Sequence, residues 1–154
     1  MIRIAVVEDE EYYVNQLTGY LNEYQKTEKE ELDITVYRDG DAVTAEYKSQ
    51  FDIILMDIQM KFVDGMTAAE EIRKMDSEVV IIFITNMTQY AIRGYEVDAL
   101  DYVLKPVSYF AFSQKLKRAV SRIKKRSSKY ITLAVKGGVI RVDLDDIYYV
   151  ESAG

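Results

Sequence analysis

Short apolar runs alternate along this chain with segments of helical periodicity, and this alternation limits its possible folds more than any other feature. Three of the runs (IRIAVV, FDIILM and VVIIFI) are nearly continuous in apolar residues, which is typical of strands covered on both faces. The second run alternates more and favours a strand nearer an edge. The five predicted strands are Ile2–Val7, Leu32–Tyr37, Phe51–Met56, Val79–Ile84 and Leu100–Leu104.

The segments between these runs have the spacing of amphipathic helices. In the first of them, Tyr13, Leu17 and Leu21 recur at helical intervals. The predicted helices are Glu10 to about Glu28, Asp41–Lys48, Asp64–Met75, Thr88–Gly94 and Val107–Arg126. Strand–helix alternation repeated five times predicts an α/β fold, a doubly wound (βα)5 parallel sheet with helices on both faces.

After Arg126 the pattern becomes that of a β-hairpin. Tyr130–Lys136 and Val139–Leu144 are predicted strands, joined by a primed turn at Gly137-Gly138. A further short apolar run, Ile147–Val150, follows.

Charge also divides the chain. Residues 1–106 carry 22 acidic and 10 basic side chains, whereas residues 107–154 carry 4 acidic and 10 basic ones. Such a change of sign favours two functional regions. We therefore expect one domain over residues 1–126, followed over residues 127–154 by a linker and a β-hairpin.

The chain contains no cysteine and no histidine. These absences exclude a disulfide framework, a thiol nucleophile, a Cys/His zinc site and a histidine general base. Any bound metal is expected to be a hard ion held by oxygen. No apolar run approaches the roughly 18 residues of a membrane helix, and no signal peptide is recognisable, so a cytoplasmic protein without a membrane partner is expected.

Chemistry-bearing side chains follow four of the predicted strands, at the end where sites form in open parallel sheets. The residues are Glu8 and Asp9 after the first strand, Asp57 after the third, Thr85 after the fourth and Lys105 after the fifth. In the flavodoxin-like strand order 2-1-3-4-5, all five converge on one rim.

This set of groups is suited to phosphoryl transfer. Three neighbouring carboxylates repel one another unless a cation is present, and magnesium prefers oxygen ligands. A carboxylate beside magnesium can attack phosphorus and become an aspartyl phosphate, whose charge a lysine and a hydroxyl can stabilise.

The motifs around these residues resemble those of response-regulator receiver domains in two-component signalling. They are VVEDE at 6–10, LMDIQM at 55–60, the Asp64-Gly65 turn, IFIT at 82–85 and DYVLKP at 101–106. The resemblance covers about residues 1–126, and the order and spacing of several motifs make it specific.

The resemblance implies that Asp57 accepts a phosphoryl group from a sensor histidine kinase. It also implies a site for Mg²⁺ (or Mn²⁺), with Asp57 and Asp9 as direct ligands, Glu8 acting through water and the Gln59 carbonyl as a backbone ligand. The protein would assist its own phosphorylation and dephosphorylation, and would not be an enzyme with a separate substrate.

Other matched positions resemble the family's switch. Thr85 and Tyr102 look like its hydroxyl–aromatic pair, and Lys105 looks like its phosphate-binding lysine. The Lys105–Pro106 bond is usually cis in the family. Phosphorylation is then expected to shift an equilibrium between two surfaces and to promote a homodimer through the fourth predicted helix, the fifth strand and the fifth helix. That face includes Ala91, Arg93, Tyr95, Asp98 and Asp101.

Two positions depart from the family's pattern. Lys61 stands where many receivers have proline, and Asn86 where a small residue is common. Lys61 would either loosen the loop over the site or add a second cation, while Asn86 would narrow phosphate access or slow hydrolysis. A degenerate receiver that acts as a phosphorylation-independent interaction module therefore stays open. A phosphatase of the haloacid-dehalogenase type is disfavoured, because Gln59 stands where that pattern has a second aspartate.

The C-terminal part narrows the resemblance. Residues 84–107 look like receivers attached to LytTR-type DNA-binding domains, and residues 129–152 resemble the start of such a domain. We interpret the chain as a transcription regulator truncated where its DNA-binding domain begins, with DNA as a partner only of the full-length protein. For the basic stretch Lys115–Lys129, a solvated helix face is favoured over a nucleic-acid patch.

Overall fold

A computed structural model describes residues 1–86, 98–99, 101–128, 130–135 and 138–143, with side chains as far as Arg126. The chain forms two compact units, residues 1–119 and residues 120–154, and each is described by itself.

Five parallel strands form the sheet of the first unit. They are β1 (Ile2–Val7), β2 (Leu32–Tyr37), β3 (Ile53–Met56), β4 (Val80–Thr85) and β5 (Asp101–Leu104). Across the sheet their order is β2-β1-β3-β4-β5, and all neighbours are parallel. The predicted flavodoxin-like order is confirmed.

Burial explains which strands have continuous apolar sequences. Every residue of β3 and β4 is buried, and in β1 only Arg3 is exposed. The edge strand β2 is only partly buried, in agreement with its alternating sequence. β3 begins two residues later than predicted. The Asp52 backbone still bonds to Arg3 at 2.8 Å and to Val80 at 3.0 Å, and Phe51 packs in the core against Tyr37 and Tyr47.

Four helices are described: α1 (Glu11–Glu28), α2 (Gly40–Ala45), α3 (Gly65–Met75) and α4 (Tyr109–Ser128). Asp39 and Asp64 cap α2 and α3, accepting backbone N–H bonds at their N-termini. The predicted helix Thr88–Gly94 lies outside the described residues. α4 is the fifth predicted helix, and it begins at Tyr109 because the Ser108 hydroxyl accepts the amide hydrogen of Ala111. Among the described helices, none is both long and apolar enough to span a bilayer.

The second unit contains an antiparallel pair, β6 (Tyr130–Val135) and β7 (Gly138–Asp143), so the predicted hairpin is confirmed. Val135 pairs with Gly138. Of the predicted turn at Gly137-Gly138, Gly138 is the first residue of β7, and Gly137 lies outside the described residues. The run Ile147–Val150 lies outside the described residues.

Candidate functional site

Three carboxylates meet at the carboxyl end of the sheet. β1 and β3 are neighbours with Val7 opposite Met56, so the residues that follow them emerge side by side. Glu8, Asp9 and Asp57 each offer a carboxylate oxygen, and these oxygens lie within 4.8 Å of one another. Glu8 and Asp57 are buried and Asp9 is half-buried. The sequence prediction that these acids converge is thus met by the geometry.

Lys105 reaches the same cluster from β5. Its backbone amide donates to the Thr85 carbonyl at 3.0 Å, which continues the pairing of β4 and β5. Its ammonium Nζ donates to Glu8 Oε1 at 2.6 Å and to Asp57 Oδ2 at 3.1 Å, and the side chain is only 5% exposed. The next peptide bond, Lys105–Pro106, is cis. Lys105 therefore forms a buried ion-pair network with two of the acids.

The electrostatics of this network favour a charged lysine. Burial raises the pKa of Glu8, and the hydrogen bond from Lys105 opposes that rise only in part. Burial alone would lower the pKa of the Lys105 ammonium, but its hydrogen bond to Glu8 and the charge of Asp57 outweigh this effect, so its pKa is raised. Lys105 is consequently cationic at neutral pH.

Two polar atoms at the site are buried without a hydrogen-bond partner among the described residues, Asp57 Oδ1 and the Tyr102 hydroxyl. Burial raises the pKa of Tyr102, and the charge of Asp57 adds to the rise. Unpaired buried polar groups cost free energy. The Asp57 oxygen and the Tyr102 phenol are therefore the atoms with most to gain from a new partner.

The remaining site residues of the prediction lie near the cluster. Thr85 ends β4 and is fully buried. A cavity of about 490 Å³ opens beside Asp57 and Lys105, and Gln59, Lys61 and Asn86 have exposed side chains in its wall. Its lining comprises Asp9, Glu10, Tyr13, Asp57, Gln59, Met60, Lys61, Asn86 and Lys105. Both departures from the family's pattern thus border the space into which a group on Asp57 would extend.

Asp39 holds the loop after β3, a role that the sequence reasoning missed. Its buried carboxylate accepts amide hydrogens from Phe62 at 2.9 Å and Val63 at 2.8 Å, in addition to that of Asp41 at 3.3 Å. Burial alone would raise the pKa of Asp39, but the three backbone N–H bonds outweigh it, so its pKa is lowered. An acid before Gly40 signals a helix cap, but nothing local signals partners more than twenty residues away.

Asp39→Ala is expected to lower the free energy of unfolding by about 2–3 kcal/mol at neutral pH, because it leaves three amides without their charged acceptor. Since the pKa of Asp39 is lowered by folding, its contribution is present above its ordinary pKa of about 4 and disappears as the pH falls through the folded-state value. Urea unfolding of wild type and variant between neutral and acidic pH should show the two curves converging. Asp33→Ala, at an exposed position of β2, is the control, and a gap of constant size at all pH values would contradict the assignment.

Comparison with known proteins shows which family of sequences this chain resembles. Residues 4–117 match the family model of the response regulator receiver domain. The chain is 31% identical over 166 residues to the sensory transduction protein LytT of Bacillus anthracis, covering 97% of this chain and 65% of that protein. It is 31% identical over 129 residues to the transcriptional regulatory protein LytR of Staphylococcus aureus, covering 83% and 49%. The chain therefore spans at most about two thirds of these curated relatives.

Solved structures agree with the fold. The response regulatory domain of the protein mrkE from Klebsiella pneumoniae superimposes with a TM-score of 0.71 at 25% identity, covering 80% of this chain and 99% of that one. The response regulator TrrA from Thermotoga maritima, solved in complex with Mg²⁺ and BeF, gives a TM-score of 0.62 at 27% identity, covering 77% and 99%.

Proposed function

Because this chain belongs to the response regulator receiver domain family, we propose that Asp57 accepts a phosphoryl group from a phosphorylated histidine of a sensor kinase. A carboxylate oxygen of Asp57 attacks the phosphorus, the bond from phosphorus to the histidine nitrogen breaks, and the imidazole leaves with the bonding pair. The observation that carries the proposal is the state of Asp57 beside the cavity: one carboxylate oxygen is bound by Lys105, and the other is buried without a partner among the described residues.

The acid cluster also fits Mg²⁺ or Mn²⁺. Its donors are carboxylate oxygens, which hard divalent ions prefer, and the unpartnered Asp57 Oδ1 is an available ligand atom. Asp9 and Asp57 would bind directly, with the Gln59 carbonyl. Glu8 would act through water, since its oxygens already accept from Lys105 and from the Glu10 amide. When bound, the ion neutralises charge on the transferring phosphoryl oxygens.

Lys105 and Thr85 would then stabilise the phosphorylated state, and Tyr102 would change its position in response to it. The Lys105 ammonium would move from the carboxylates to a phosphoryl oxygen, and the Thr85 hydroxyl would donate to another. The Tyr102 phenol would leave the position in which its hydroxyl has no partner among the described residues, and adopt a new one as Thr85 moves. The proposed reaction stays on Asp57, so no separate substrate is converted.

A homodimer is the proposed output of the switch. Of the predicted face, Asp101 is seen to pair with Lys115 at 3.0 Å and Arg118 at 3.5 Å, both on α4, and Asp98 is exposed. Ala91, Arg93 and Tyr95 lie outside the described residues. The proposed sequence of events is that rearrangement at Tyr102 in β5 alters the neighbouring Asp101 and its α4 partners.

The proposed setting is a cytoplasmic transcription regulator. The similarity to LytT and LytR supports a receiver over residues 1–126 and the beginning of a LytTR-type DNA-binding domain over residues 127–154. DNA would then be a partner of a longer protein that contains the whole of that domain.

Incubation with acetyl phosphate and Mg²⁺ tests the proposal by intact mass. The wild type and the control Asp33→Asn are expected to gain one phosphoryl group, and Asp57→Asn to gain none. Sedimentation of the same samples should show dimer only where the phosphoryl group is present, and an unchanged profile would contradict the proposed dimer. No gain by the wild type would support the degenerate interaction module, whereas rapid turnover of assorted phosphate esters would support an enzyme.

A further inference from the structure

The Lys105 ammonium has a third neighbour besides its two carboxylates. Nζ lies 3.8 Å from the centroid of the Tyr13 ring, in the first turn of α1. An ammonium has three N–H donors, and Glu8 and Asp57 account for two of them. The remaining side of the cation therefore faces the electron-rich surface of an aromatic ring, a contact that is strongest when it is desolvated.

The place of Tyr13 distinguishes it from a packing residue. Leu17 and Leu21, one and two turns further along α1, are 2% and 0% exposed, whereas Tyr13 is half-buried and lines the cavity together with Lys105 and Asp57. Its ring and that of Tyr12 pack edge to face, with a centroid distance of 5.1 Å and an interplanar angle of 89°. The ring is thus held at the rim of the cavity instead of continuing the apolar core.

We propose that Tyr13 is a positioning residue for phosphoryl transfer to Asp57, acting through Lys105. Its ring shields the ammonium from the water of the cavity and remains in contact with it as the ammonium passes from Glu8 to a phosphoryl oxygen. A shielded cation attracts the incoming charge more strongly than a hydrated one. The inference rests on the proposed function, because it concerns the same reaction.

The experiment compares Tyr13→Leu, which keeps apolar bulk but removes the ring, with Tyr13→Phe, which keeps the ring. Binding of BeF₃⁻ in saturating Mg²⁺, measured by ¹⁹F NMR on the full chain, is expected to weaken about threefold to tenfold in Tyr13→Leu. Tyr13→Phe should recover most of the loss. The control Tyr109→Leu removes a half-buried tyrosine ring that packs on Tyr20, and it should bind BeF₃⁻ as the wild type does.

Mg²⁺ affinity is the readout that separates positioning from general distortion. Lys105 is not a metal ligand in the proposed site, so Tyr13→Leu should bind Mg²⁺ with wild-type affinity while its BeF₃⁻ affinity falls. Three outcomes would overturn the proposed role of Tyr13 while leaving the proposed function intact: a parallel loss of both affinities, equal behaviour of the leucine and phenylalanine variants, or wild-type BeF₃⁻ binding by Tyr13→Leu. A wild type that binds no BeF₃⁻ and gains no phosphoryl group would overturn the proposed function together with it.

Discussion

Lys105→Met should lower the free energy of unfolding by about 3–5 kcal/mol at neutral pH, because it leaves buried carboxylates without their cation. Methionine retains the apolar length of the lysine side chain, so the change is mainly one of charge. Glu8 and Asp57 are 1% and 5% exposed in their side chains, and water therefore cannot replace the lost hydrogen bonds without opening the site. Denaturant unfolding in the presence of a chelator measures the loss.

The control for Lys105→Met is Lys74→Met. Lys74 also pairs with an acid, Glu71, at 2.9 Å, but both side chains are more than half exposed, and such pairs contribute at most about 1 kcal/mol. If the proposed metal site is correct, Mg²⁺ should restore more stability to Lys105→Met than it adds to the wild type, because a divalent cation takes over the neutralisation. Equal losses for the two lysine variants would show that the buried network is not what stabilises this end of the sheet.

Gly65→Ala is the second change for which we expect a large effect. A Cβ at position 65 would overlap the backbone carbonyl oxygen of Asp57 and would lie 2.9 Å from the Cα of Ile58. Both contacts are with backbone, which cannot rotate away, and the Gly65 amide also donates to the Ile58 carbonyl at 2.7 Å. We expect the variant to lose about 3 kcal/mol or more of unfolding free energy and to phosphorylate slowly, since relief of the clash displaces Asp57.

Gly19→Ala is the control for Gly65→Ala, and we expect it to raise the free energy of unfolding instead of lowering it. Gly19 lies within α1, and a Cβ added there would meet nothing from outside its own helix backbone within 4 Å, so alanine should stabilise the helix by up to about 1 kcal/mol. Thermal unfolding and acetyl phosphate labelling of both variants test the pair. A stable Gly65→Ala protein with normal labelling would mean that the backbone after Asp57 shifts to accommodate a Cβ more easily than its contacts suggest.

The sheet and the acid cluster were predictable because they depend on patterns within single segments. β1 and β2 have the bounds that their apolar runs predict, and the placement of Glu8 and Asp57 follows from strand ends that are adjacent in the sheet. Gly138 was predicted as a turn residue but is the first residue of β7, paired with Val135, because glycine suits a turn without being excluded from a strand end.

Contacts between distant segments were not predictable in this way. The spacing of Tyr13 with Leu17 suggested a core position, and nothing in α1 indicates that a lysine 92 residues later will lie over the ring. The pairing of Lys105 with Glu8 is similar: the resemblance implied a lysine for phosphate, whereas the structure shows it bound to an acid. Such contacts depend on which side chains the sheet order brings to one rim, and become visible only in three dimensions.

The position of β1 between β2 and β3 has a consequence for how the chain folds as it is synthesised. β1 is made before the other strands of the sheet, yet Ile4 pairs on one side with Ile34 and on the other with Ile53, which lies 49 residues away. β2 can close the first edge of β1 as soon as Tyr37 has emerged, but the last residue of β3 is made 19 residues later. At a synthesis rate of about 5–20 residues per second, the second edge stays open for roughly one to four seconds. During that interval the unpaired edge of an apolar strand is accessible to other nascent chains. Closely spaced ribosomes on one mRNA should therefore favour aggregation at this stage.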